Sequence, residues 1–153
     1  MEKHITTQPL FPVMQVREQG DIYVATFTEG KALENIEGMA RRYDIHSAVI
    51  LSGIGMLDGA SIGYYDGDGY QTTTLDEPAE LVSMNGNIGR HRDSGDVVSH
   101  VHVALAGSDH RLVGGHLMDG EVMVVNEIVL RRLDPAVIHR AENERGLLEM
   151  QLE

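Results

Sequence analysis

The sequence contains no cysteine, which removes disulfides, thiolate metal sites and cysteine nucleophiles together. Basic residues are scarce: 12 Lys and Arg face 24 Asp and Glu, giving a formal net charge of −12 with histidines neutral. Nucleic-acid binding rests on cations that displace counterions from phosphates, so an acidic chain needs a local basic patch to do it. Only short basic groups occur, at Arg41-Arg42, Arg90 to Arg92 and Arg131-Arg132, and they read as solvated ends of a helix and two strands. Long hydrophobic runs are also missing. The longest, Ala48 to Leu57, is broken by Ser52, Gly53 and Gly55, and a membrane helix needs roughly 18 apolar residues. The first residues, Met-Glu-Lys-His-Ile-Thr-Thr, have no apolar core of the kind a signal peptide carries. The expectation is a soluble, cytoplasmic protein without a direct nucleic-acid or membrane partner.

What is present suits one domain. A chain of 153 residues with 42% hydrophobic side chains buries about 68–70% of its unfolded surface. Seventeen glycines, with aromatics limited to 5 Tyr and 2 Phe, suggest many tight turns. Lys31 to Tyr43 carries Leu33, Ile36, Ala40 and Tyr43 on one helical stripe, with Thr28 as a candidate N-cap. Gly38 inside it would mark close packing on a sheet. Strand signals cover Asp21 to Phe27, His46 to Leu57, Ala60 to Tyr65, Gln71 to Leu75 and Ala79 to Gly89. They continue over Val97 to Leu105, Leu112 to Met118 and Glu121 to Arg132. Turns are expected at Asp58-Gly59, Asp66 to Gly69, Asp93 to Asp96 and Asp119-Gly120, the last being the strongest hairpin signal. Strands following strands after a single helix predict an α+β fold: a mainly antiparallel mixed sheet with one packing helix. The chain divides into an N-terminal segment 1–15, a domain 16–133 and a C-terminal extension 134–153.

The glycine pair in Ser52-Gly53-Ile54-Gly55 does not make a dinucleotide-binding fingerprint. The third glycine would fall at Asp58, and strand signals follow where a helix is required. A strand kink or bulge fits better. Neither a P-loop nor a G-x-S-x-G elbow occurs, so triad chemistry has no support.

Of eight histidines, His4, His91, His110 and His139 fall in expected loops or element ends, and His46 opens a strand. The other three form a pattern. His100 and His102, in Ser99-His100-Val101-His102-Val103, are two apart and share one strand face. Val97, Val101, Val103 and Leu105 take the opposite, apolar face. A loop over 106–110, or the shorter 107–109, pairs residues summing to 216 and sets His100 across from His116 of Gly114-Gly115-His116-Leu117. Gly114 then faces His102 and leaves its ring room. Directly opposed Cβ atoms lie about 4.5–5.5 Å apart, so three imidazoles can meet one ion. Three histidines without thiolate suit zinc, with nickel, copper or iron also compatible, and leave a coordination position open. Spacing alone is equally satisfied by a polar strand face and an interior histidine.

No fourth ligand or acid–base group can be placed from the sequence. Glu127 sits mid-strand; an Asp119-Gly120 turn sets it opposite Leu112, with Met123 opposite His116, too far for direct contact within one subunit. It is left to serve a neighbouring subunit or to pair structurally, and the structural role is the favoured expectation. Glu80, and Asn85 and Asn87 around a turn-like Gly86, are also candidates, with a strand bulge bounded by hydrogen-bonding amides as the favoured reading.

Ser47-Ala48-Val49-Ile50-Leu51-Ser52-Gly53-Ile54-Gly55, Ile62-Gly63-Tyr64-Tyr65-Asp66, Asn85-Gly86-Asn87-Ile88, His100-Val101-His102 and Gly114-Gly115-His116-Leu117 occur in order from about Val16 to Leu133. Together they resemble the plant-and-prokaryote-conserved (PPC) domain, in its stand-alone prokaryotic form. The resemblance implies a sheet with a packed helix, assembled as a homotrimer. In plants the domain follows a DNA-binding AT-hook; this sequence has no such hook, and the DNA-binding label of the family does not transfer. The family's three histidines match His100, His102 and His116, which are associated with metal in some prokaryotic members. Acetolactate decarboxylase, in the same fold group, binds zinc through a similar set. Two functions follow as expectations: a regulatory or small-ligand-binding metal protein, or a zinc-dependent lyase acting on a small oxo acid.

Overall fold

The computed structural model describes residues 13–133 and 135–152; His4 and most of the segment 1–15 lie outside them. The elements are β1 (Met14–Gln19), β2 (Ile22–Phe27), α1 (Ala32–Arg42), β3 (Ala48–Tyr65), β4 (Tyr70–Thr74) and β5 (Ala79–His91). Then come β6 (Val97–Ala106), β7 (Leu112–Arg132), β8 (Ile138–Glu142) and β9 (Leu148–Leu152). Among the described residues, all nine strands belong to one sheet, antiparallel except where β5 pairs with β8. The fold is the expected single helix on a mixed, mainly antiparallel sheet.

The sheet curls on itself. β3 pairs with β5 and β7, and β6 pairs with the same two strands, so four strands form a closed ladder. Closure protects backbone donors and acceptors that an open edge would expose. The helix packs on β6 and β7 and buries Ala32, Ile36, Met39 and Ala40, while Leu33 and Tyr43 are partly buried against the same core. The expected stripe is therefore rotated slightly toward Met39.

Several local expectations change. Asp58-Gly59 and Asp119-Gly120 are not turns, because β3 and β7 run straight through both and pair with each other. Their ladder shifts register between Asp58 and Ser61, where Gly59 holds φ +58°. The dipeptide is a bulge that keeps two long strands in step. Asp119 pairs with Ser61 and binds the Lys31 ammonium at 2.9 Å. The N-cap of α1 is Lys31, with no side-chain cap bond, in place of Thr28. Gly38 has open space around it, not a packed neighbour. β1, β8 and β9 were not expected, so the C-terminal extension carries a hairpin, and His139 lies within a strand. β3 begins at Ala48, leaving His46 exposed ahead of it.

Other expectations hold. Asp66 closes the β3–β4 turn, accepting from the Asp68 and Gly69 amides. The Ser52–Gly55 stretch is itself in regular register with β7 and is flanked by bulges, between Ile50 and Ser52 and between Gly55 and Met56. The bulge expected at Asn85-Gly86-Asn87, by contrast, is not formed, since its ladder with β6 is regular.

Candidate metal centre

β6 alternates faces as its sequence requires. Val97, Val101, Val103 and Leu105 are buried, and Ser99 on the same face donates to Glu37 of α1 at 2.7 Å. His100 and His102 emerge on the other side. The β6–β7 connection differs by two residues from the expected register: the loop is 107–111 and Ala106 pairs with Leu112. His102 therefore faces His116 directly, Gly114 faces Ala104, and His100 is the diagonal neighbour. A shift of two preserves the face, whereas a shift of one would have reversed it.

The three rings converge. Their centroids are 5.0 to 5.4 Å apart, and one ligand nitrogen from each lies within 4.8 Å of the others. His100 Nε2 and His102 Nε2 are 3.2 Å apart. Two ligands on a tetrahedral ion with 2.0–2.1 Å bonds are separated by about 3.3–3.4 Å, so this pair fits such an ion. His116 Nδ1 is buried and has no hydrogen-bond partner among the described residues, an arrangement that leaves polar capacity unused. The donor set, spacing and orphaned nitrogen all fit a divalent transition metal.

Electrostatics favour neutral rings. Burial, then the positive charges of Arg140, His116 and His102, pushes His100 down to about 4. Burial is also the largest cause lowering His116, followed by His102 and Arg140. Neutral imidazole is the ligand form, so less proton competition must be overcome on binding metal.

Neighbouring elements fix the rings. Gly63 of β3 pairs with His116 from the side opposite β6. A Cβ there would lie 2.8 Å from the Tyr70 ring, and that ring packs on His116 with centroids 5.1 Å apart. Asn87 pairs with His100 across the β5–β6 ladder, and Asn85 pairs with His102. The remaining candidates stay away. Glu127 is exposed, pairs with Thr26 and Ile54, and lies far along β7 from His116; Met123 pairs with Met56 instead of facing that histidine. Glu80 is exposed and pairs with Met56 and Ala106.

A cavity of about 490 Å³ opens beside the rings, with His100, His116, Tyr70 and Arg140 in its lining. Arg140 was not singled out in the sequence. Its signal is the alternation of β8, in which Ile138 and Arg140 are both buried, and that signal is visible only once 138–142 is recognised as a strand.

The Plants and Prokaryotes Conserved (PCC) domain family matches residues 14–134. Among solved structures, the chain resembles a plant- and prokaryote-conserved protein of Pyrococcus horikoshii at 28% identity and a TM-score of 0.78, covering 93% of this chain and 96% of that one. A metal-containing protein from Archaeoglobus fulgidus is 30% identical with a TM-score of 0.76, covering 92% and 99%. A Bacteroides thetaiotaomicron protein with a provisional DNA-binding label shares the fold at 21% identity and a TM-score of 0.81, covering 92% and 98%. Comparison with curated proteins gave no match.

Proposed function

Because the chain belongs to the Plants and Prokaryotes Conserved domain family, we propose that it is a stand-alone, homotrimeric member that holds one zinc-like ion on His100, His102 and His116 and uses it to bind a small ligand. The observation that carries this reading is the meeting of three ligand nitrogens within 4.8 Å. The metal-containing Archaeoglobus relative, 30% identical over nearly its whole length, supports it. When bound, such an ion supplies a Lewis acid with an open coordination position. The protein's part is to keep the His100 and His116 rings neutral, hold His116 between β3, β6 and Tyr70, and leave a cavity on the open side.

The test is metal analysis of purified protein. About one equivalent per chain is expected, and joint substitution of His100→Ala and His102→Ala should abolish it. Wild-type protein that stays metal-free after zinc is supplied would overturn the reading, as would metal retained in the double variant. Exposed apolar side chains on paired strands, Leu51 and Ile54 of β3 with Met123 and Val124 of β7, support self-association, since exposed apolar surface marks interfaces.

A second reading, a metal-dependent lyase acting on a small oxo acid, draws on the cavity beside the rings. Nucleic acid is disfavoured as a partner by the −12 charge.

A further inference from the structure

The lining of the cavity holds a cation without a counter-ion. Arg140 is 3% exposed, yet its neighbours are neutral acceptors: Nη2 donates to the Asn87 side-chain oxygen and Nη1 to the Leu148 carbonyl at 3.3 Å. Its Nε is buried without a hydrogen-bond partner, and no carboxylate forms an ion pair with it among the described residues. A buried charge left unpaired is expensive, and burial lowers the guanidinium pKa accordingly. Two hydrogen bonds to uncharged oxygens fix the side chain without neutralising it.

The position of this cation is also specific. Asn87, which holds Arg140, pairs with His100 across the ladder. Arg140 and two of the three histidines line the same cavity, and its charge is felt at both rings. An anion reaching the guanidinium from the cavity would therefore stand beside the metal-ligand rings.

We propose that Arg140 is the anion-binding residue of this cavity and that the ligand is a small monocarboxylate. A guanidinium presents parallel donors that match a carboxylate in two-point geometry. One arginine supplies one positive charge, and Glu149 also contributes to the lining of the cavity. Apart from the proposed metal, Arg140 is the one cationic side chain of the described lining, so a monoanion is matched there, whereas a more highly charged anion would face Glu149 and the −12 chain charge. A volume of about 490 Å³ sits within the roughly 300–1,000 Å³ of small-molecule sites. The assignment deepens the metal reading, and rests on it only for the ligand's second contact at the open coordination position.

The experiment is calorimetric titration of zinc-supplied protein with acetate, glycolate and pyruvate. Each is paired with its uncharged counterpart: acetamide, glycolamide and methyl pyruvate. Metal content is measured on the same samples. At least one acid should bind more tightly than its neutral counterpart, and Arg140→Gln should weaken that binding by about tenfold or more while leaving the metal content unchanged. Arg140→Lys keeps the charge and loses the fork, so it should fall between the two; it also serves if the glutamine variant fails to fold. The proposal is overturned if no acid outbinds its neutral partner, or if a folded Arg140 variant binds acids as the wild type does. Binding of inorganic phosphate in preference to every acid would overturn the monocarboxylate assignment. If metal is absent from wild type while Arg140-dependent acid binding persists, the metal reading fails and this one stands.

Discussion

His100 joins metal binding to acid sensitivity. Its folded pKa of about 4 lies below the ordinary 6.5, so the unfolded chain takes up that proton first. The metal-free protein should therefore lose stability as pH falls from about 6.5 to about 4, with His100's contribution level below that, because ν_U exceeds ν_N across that window. His116 is shifted in the same direction and adds to it. Thermal melts of metal-free protein over this range check the sign: His100→Asn should flatten the slope. An equal slope in wild type and variant would show that the ring is not buried as described. Metal raises the contrast, since the ligand nitrogens must remain deprotonated to hold it.

Gly86 is the other residue on which the site depends. It lies in β5 at φ +153°, and a Cβ there would run into the His100 carbonyl. Only glycine allows β5 to approach β6 this closely beside His100. Gly86→Ala should destabilise the fold by about 2 kcal/mol or more, which for a chain of this size lowers the melting temperature by several degrees. An unchanged melt would contradict the close approach.

At the scale of elements, legibility followed periodicity. The alternation of β6 placed His100 and His102 on one face and four apolar side chains on the other, and the structure keeps that division. Loop position was harder to read: the loop keeps five residues but slides by one, from 106–110 to 107–111, which moves the register by two and exchanges which histidine His116 faces. The site survives because strand faces repeat every two residues. The Asp-Gly dipeptides misled for a physical reason. Such pairs favour left-handed backbone, which a hairpin turn needs and a bulge also uses, as Gly59 does. Only pairing between β3 and β7, distant in sequence, selects the bulge. The C-terminal hairpin was missed although Leu148-Glu149-Met150-Gln151-Leu152 alternates apolar and polar side chains, because the run is only five residues long and exposed along its length. Arg140 was missed with it.

That hairpin makes an element-scale prediction. β8 delivers Arg140 to the cavity, and Leu148 of β9 accepts one of its hydrogen bonds. Truncation before Ile138 should leave metal binding intact, because His100, His102 and His116 come from β6 and β7. It should also abolish any Arg140-dependent ligand binding. Loss of metal on truncation, in a chain whose circular dichroism is otherwise retained, would contradict this division of roles.

For the whole molecule, charge and exposed apolar surface pull in opposite directions. A charge of −12 per chain repels like subunits, so association needs compensating apolar burial. Val124 is 72% exposed and holds φ +63°, a costly conformation for a β-branched residue. It sits where two extra residues of β7 bulge away from β3, between the Gly55–Asn126 and Met56–Met123 pairs. The trimer reading gives that protruding side chain a buried partner. Light scattering should report about three times 16.8 kDa, and Val124→Asp should reduce it. A wild-type particle of 16.8 kDa would refute the assembly.

The central claim is that three imidazoles hold one ion, and X-ray absorption at the edge of the bound metal examines it most directly. The account predicts nitrogen and oxygen scatterers at about 2.0–2.1 Å, with outer-shell scattering from three imidazole rings that disappears with His100→Ala and His102→Ala. A shell of water and carboxylate oxygens, or fewer than three imidazoles around the ion, would contradict it.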